Sequence, residues 1–139
     1  MVQLGKVDTG RFCWVDLAAT DADSAKSFYE ELFGWTAHEQ AANGGSFTRL
    51  RLSDCDVGSI YQLRDALVEH GIPSHWTPYV RVSDVDETAR RATALGGTVI
   101  AEPFAVSGIA RIALILDSVG ALIGLWEPIE LDMTANSQG

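Results

Sequence analysis

Trp14-Val15-Asp16 and Thr77-Pro78-Tyr79-Val80-Arg81 hold the side chains best suited to chemistry in this sequence. Both stretches alternate as strands do, which places Trp14, Asp16 and Ala18 on one face and Thr77, Tyr79 and Arg81 on the matching face of a second strand. A carboxylate in a half-apolar cleft is a base or a ligand anchor once something donates to it, and Tyr79 or Arg81 is the expected donor. An internal ion pair is the structural alternative. Leu122, Gly124 and Trp126 are expected to face the same way from the last strand, and Arg111, Ala113 and Ile115 from the one before. Trp14 and Trp126 offer large flat rings for stacking on a planar ligand, or for plugging an empty cup, while Gly124 leaves room for a ligand or marks a strand bend. Glu102, Arg49, Arg51 and His38 are expected at the surface rim, and Ser107 with Gly108 on a loop near the cleft.

Other chemistries find little support. His38, His70 and His75 are scattered, and His70 and His75 lack the i, i+4 spacing of a helical zinc pair. Cys13 and Cys55 form neither a metal-type pair nor a disulfide framework, and are expected to be reduced and structural. No phosphate-binding glycine loop or nucleophile elbow is present. A net charge of -9 opposes contact with nucleic acid or anionic lipid. The 139 residues, 47% apolar and 21% charged, suit one globular domain with no apolar run able to span a bilayer and no signal-peptide core. A soluble cytoplasmic protein is expected, with no membrane and no nucleic-acid partner.

The elements that must position these residues repeat. After a lead-in over residues 1 to 10, Cys13, Val15, Leu17 and Ala19 form the helix-covered face of the first strand. Thr20 with Asp23 is expected to cap a helix whose apolar stripe is Ala25, Phe28, Tyr29 and Leu32, ended by Gly34. Strands are expected at Trp35 to Ala41, Ser46 to Ser53 and Val57 to Leu63, with Asn43-Gly44-Gly45 as a hairpin turn. Residues 64 to 75 connect to a second unit, which opens with Pro78, Val80 and Val82 facing its helix. Ser83 with Asp86 and Glu87 is expected to start that helix; Val85, Ala89, Ala92 and Leu95 line it, and Gly96-Gly97 stops it. Strands at Thr98 to Glu102, Arg111 to Leu116 and Leu122 to Trp126 follow, and the tail past Pro128 is expected to fray. The fold class is α+β: two βαβββ modules, about 11–63 and 76–128 with a connector at 64–75, forming a curved, mostly antiparallel sheet with helices outside and a ligand cup inside.

The run from Trp14 to Trp35, with Phe28-Tyr29 and Leu32-Phe33-Gly34-Trp35, resembles the opening module of the vicinal oxygen chelate superfamily, which includes glyoxalase I, extradiol dioxygenases and bleomycin-resistance proteins. Val82-Ser83-Asp84, Leu95-Gly96-Gly97 and Asp117 to Pro128 resemble its second module. Enzymes of that group hold a divalent ion through His, Glu or Gln. The resemblance places those positions on Trp14, Thr77, Gly124 and either Tyr61 or Gln62, of which only Gln62 offers even a weak donor. It therefore implies the fold without the family's metal, and no cofactor is expected.

Three functions follow. The first is metal-independent binding of a small planar or aromatic molecule, as in drug-sequestering resistance proteins, by Trp14, Asp16, Tyr61, Gln62, Thr77, Tyr79, Arg81, Arg111, Gly124 and Trp126. The second is a metal-free isomerase, cyclase or ring-opening enzyme acting on an aromatic or polyketide-like substrate, with Asp16, Tyr79 and Arg81 catalytic. The third is a degenerate structural or regulatory module. A homodimer is expected from the apolar strand edges at the module boundary.

Overall fold

The computed structural model describes residues 8–42, 45–106 and 108–129. Asn43 and Gly44 of the expected hairpin turn, Ser107, the first seven residues and the tail from 130 lie outside them. The described elements are β1 (Phe12–Ala19), α1 (Ala22–Phe33), β2 (Thr36–Ala42), β3 (Gly45–Leu52), β4 (Cys55–Gln62), α2 (Asp65–Glu69), β5 (His75–Arg81), α3 (Val85–Ala94), β6 (Thr98–Val106), β7 (Ala110–Leu116) and β8 (Leu122–Pro128). The fold is α+β, and the chain divides into one unit of Trp14–Pro78 and another that joins Tyr79 onward to the segment ending at Cys13.

In the Trp14–Pro78 unit the strand order is β2-β3-β4-β1, antiparallel apart from the parallel β1–β4 pair. Leu17 and Ala19 turn toward α1 and join Leu50 and Ile60 in its core, with Ala22, Ala25 and Tyr29 packed against them. Val15, expected under the helix, is exposed. Phe28 and Leu32 are also exposed, because the inward line of α1 runs through Ala22, Ala25 and Tyr29, at spacings of three and seven, and leaves both on its shoulder.

The second unit repeats this plan with the order β5-β8-β7-β6, again with a parallel pair, β5–β8. Val82, Val85, Ala89, Ala113, Ile115 and Leu125 make its core. Backbone bonds from Gly10 to Arg81 and from Arg81 to Arg11 (2.8 and 2.9 Å) fasten the N-terminal segment to it. Leu95, beyond the last helical turn, is exposed. β6 runs past its expected end at Glu102 and through Pro103 with two register shifts, which an edge strand tolerates because proline need not donate there.

Both helix starts sit one residue later than expected. Asp21 caps α1 by accepting from the Ser24 N–H (3.0 Å), and Asp84 caps α3 by accepting from the Glu87 N–H (3.0 Å). Thr20 is occupied elsewhere, its N–H donating to the Ser74 hydroxyl (2.9 Å). The connector is not bare loop, since α2 lies within it.

Two substitutions test this packing. A methyl at Gly124 would overlap the buried Tyr79 ring, so Gly124→Ala is expected to lower unfolding free energy in urea by about 1–3 kcal/mol. Gln62 Oε1 accepts from the Ala22 N–H (2.8 Å), while its Nε2 donates to the carbonyls of Thr20 (2.8 Å) and Leu63 (3.2 Å). Gln62→Ala is expected to cost about 1 kcal/mol and to speed hydrogen exchange at the Ala22 amide.

Candidate functional site

The parallel pairing of β1 with β4 sets Asp16 opposite Ser59, and the antiparallel ladder continues that row through Arg49 to His38. Directly paired residues share a face. The row therefore lies on the side of the sheet away from the α1 core.

At one end of the row is a directed chain of hydrogen bonds. The Trp14 indole N–H donates to the Ser59 hydroxyl (2.8 Å), and Ser59 donates onward to Asp16 Oδ1 (2.7 Å). With its oxygen accepting from an indole, the serine has its proton aimed at the carboxylate. Oδ2 of Asp16 receives no hydrogen bond from the described residues. Desolvation raises the Asp16 pKa to about 6, against the smaller opposing effects of the Ser59 bond and of His75. Tyr61, half-buried two residues along β4, has its own pKa raised by burial and by the Asp16 charge.

Further along the row, Arg49 Nη2 donates to both carboxylate oxygens of Asp56 (2.8 and 2.7 Å), and Arg51 Nε lies 3.5 Å from the same group. Asp56 therefore pairs with both guanidinium groups. The charged form of Asp16 is favoured by the Ser59 hydroxyl and the His75 imidazole, and burial outweighs both.

The expected site residues belong to two units. Trp14, Asp16 and Tyr61 share one unit, and the donor to Asp16 is Ser59, where Tyr79 or Arg81 had been expected. Gln62 is committed to the β1–α1 turn. Thr77 is buried. In the other unit, Tyr79 packs edge-to-face on Trp126 (5.9 Å, 77°), and its ring fills the space that Gly124 leaves open. Arg81 pairs in register with Trp126. Arg111 does not share that face. It forms an ion pair with Asp86 of α3, and Ala113 and Ile115 belong to the α3 core, because β7 alternates with the opposite phase to the one expected. Cys13 is buried, which pushes its thiol up to about 11 and keeps it unreactive.

Ser59 was missed from the sequence. The two modules differ in spacing, so the residue equivalent to Gly124 is found only through register: Gly124 pairs with Tyr79, and Ser59 pairs with Asp16, which lies 63 residues before Tyr79. By register, Ser59 is thus the counterpart of Gly124, two residues before Tyr61 on the same strand. Among the described residues no three His, Cys, Asp or Glu side chains gather in a way that would hold a metal ion.

Comparison with known proteins fits this architecture. The chain is 34% identical over 122 residues to the putative glyoxylase CFP32 of Mycobacterium tuberculosis, covering 87% of this chain and 45% of that one. It is 31% identical over 128 residues to the anthracycline biosynthesis protein DnrV of Streptomyces peucetius, covering 84% and 46%. The chain thus spans about half the length of the curated relatives it matches. Among solved structures, methylmalonyl-CoA epimerase from Mycobacterium tuberculosis superposes with a TM-score of 0.63 at 23% identity, covering 94% of this chain and 98% of that one. Residues 11–125 match the model of the Glyoxalase/Bleomycin resistance protein/Dioxygenase superfamily, and the chain belongs to that family.

Proposed function

We propose that this protein binds a small planar organic molecule at the sheet face around Asp16, and does so without a resident metal ion. The observation that carries this reading is a carboxylate kept at a cost to stability. Asp16 is desolvated to the point that its pKa reaches about 6, with no arginine or lysine bonded to it, although asparagine would satisfy Ser59 equally well. A fold retains such a group where binding or chemistry needs it. The Trp14 indole and the Tyr61 phenol ring supply flat apolar surface beside it, and a few polar anchors in an aromatic setting suit ligand binding. DnrV, by its name a protein of anthracycline biosynthesis, adds support for a fused-ring ligand class.

The donor set supports the absence of a metal. At positions where the family's enzymes carry His, Glu or Gln, this chain has an indole N–H already donating to Ser59, a buried threonine and a glycine. Divalent ions need several imidazole, thiolate or carboxylate donors converging on one point.

A second reading rests on the same carboxyl. A group titrating near neutrality, with its proton position directed by Ser59, suits proton transfer to or from a bound substrate.

The two readings separate experimentally. Under the binding reading, a soluble hydroxyanthraquinone quenches tryptophan fluorescence saturably and is recovered unchanged, and Trp14→Ala weakens its binding by about 2 kcal/mol. Recovery of a chemically altered quinone would favour proton-transfer catalysis, and Asp16→Asn would then abolish conversion while retaining binding. Stoichiometric Zn, Fe, Mn or Ni in protein purified without chelator would contradict the metal-free claim.

Stability should also report on Asp16. Its folded pKa lies above the ordinary value of 3.8, so folding favours the protonated form, and the cost of ionisation is absent at low pH, grows as pH rises, and levels off above about 6. Asp16→Asn is therefore expected to match the parent protein in urea denaturation near pH 3 and to exceed it by roughly 2–3 kcal/mol at pH 8.

A further inference from the structure

A groove of about 460 Å³ opens on the helix side of the Trp14–Pro78 unit, beside α1 and next to the end of β1 and the start of β5. That volume is in the range of small-molecule sites. Leu17, Ala19 and Ala25 give it an apolar floor, whereas the Asp16 row lies on the opposite face of β1. The groove thus opens on the other face of β1 from the Asp16 site, and His75, which lines it, also acts electrostatically on Asp16.

Its walls are aromatic. Phe28 meets Tyr29 edge-to-face (5.0 Å, 85°), and Tyr29 meets Trp76 in the same manner (5.6 Å, 72°), so three lining rings follow one another nearly at right angles. The Trp76 indole N–H donates to the Tyr29 hydroxyl (3.3 Å), which fixes their relative positions. The rings are not sealed in, since Phe28 is 58% and Trp76 37% exposed. Tyr29 is itself stacked on Trp35 (5.3 Å, 25°), so Phe28 and Trp76 are the exposed lining rings, and aromatic rings open to a groove attract alkylated ammonium groups.

The charges around the groove point the same way. Asp21 lines it, no lysine or arginine does, and His75 is the imidazole on its wall. Within Trp14–Pro78 the sequence has ten Asp and Glu against four Lys and Arg, which attracts cations and repels anions. The amino end of α1 does not reverse this, because the Asp21 carboxylate already accepts from the Ser24 N–H there.

We propose that this groove binds a small organic ammonium ion, held against the rings of Phe28 and Trp76 with Asp21 as its counter-charge. The test is an NMR titration of the ¹⁵N-labelled protein with choline, using 3,3-dimethyl-1-butanol as a neutral molecule of the same shape. Choline is expected to give saturable shifts at Ser24, Phe28 and the Trp76 indole, with the neutral alcohol at least about tenfold weaker, a factor equal to about 1.4 kcal/mol. Asp21→Asn keeps the helix cap, since asparagine caps as well as aspartate, and is expected to weaken choline several-fold. Phe28→Ala removes a half-exposed ring and is expected to weaken it about as much. Absent saturation, or equal affinity for the neutral alcohol, would overturn the proposal. So would a Phe28→Ala variant that changes oligomeric state while choline affinity stays constant, since the ring would then serve contact with a second copy of the chain.

Discussion

The hydrogen bond from Ser59 to Asp16 depends on two strands distant in sequence lying parallel in one particular register. A slip of one residue would turn Ser59 to the helix side and leave the carboxyl buried without a donor. That register is secured on the helix side of the same strands. Leu17, Ala19 and Ile60 turn inward to the α1 core, while Asp16 and Ser59, their immediate neighbours, turn outward. Core packing and site geometry are therefore one constraint, and the bonds of Gln62 to Thr20 and Ala22 fasten the β1–α1 turn at the end of the strand pair.

The repeat shows how one scaffold supports different surfaces. The position that holds Asp16 opposite Ser59 in one unit holds Tyr79 opposite Gly124 in the other. In the first, a small hydroxyl supports a desolvated carboxyl. In the second, the absent side chain is replaced by the ring of the residue across the ladder, which then packs on Trp126. The backbone of one family thus carries two unlike pairs at equivalent places.

Much of this architecture was legible in the sequence. Alternation in β1 and β5 separated helix-facing from open-face residues, and Gly34 marked the end of α1 with its left-handed backbone (φ 78°). The superfamily was readable from the Asp, Phe-Tyr and Leu-Phe-Gly-Trp spacing. What escaped depends on pairing between distant segments. The phase of β7, and with it the commitment of Arg111 to Asp86, is ambiguous in a strand as uniformly apolar as Ala110–Leu116. Ser59 was invisible for a similar reason: a serine in a strand acquires meaning only once its partner is known. The caps shifted by one residue because Thr20 and Asp21 are both good capping residues, and the bond between Thr20 and Ser74 decides between them.

The central claim is that Asp16 is a desolvated carboxyl whose only hydrogen bond among the described residues comes from Ser59. A ¹³C NMR titration of the aspartate carboxyl carbons, with Asp16→Asn to assign the resonance, measures this directly. The structure predicts a midpoint near 6 for the parent protein and a higher one in Ser59→Ala, where a donor favouring the charged form is lost. A midpoint at or below the ordinary value of 3.8, unmoved by loss of the serine hydroxyl, would contradict it.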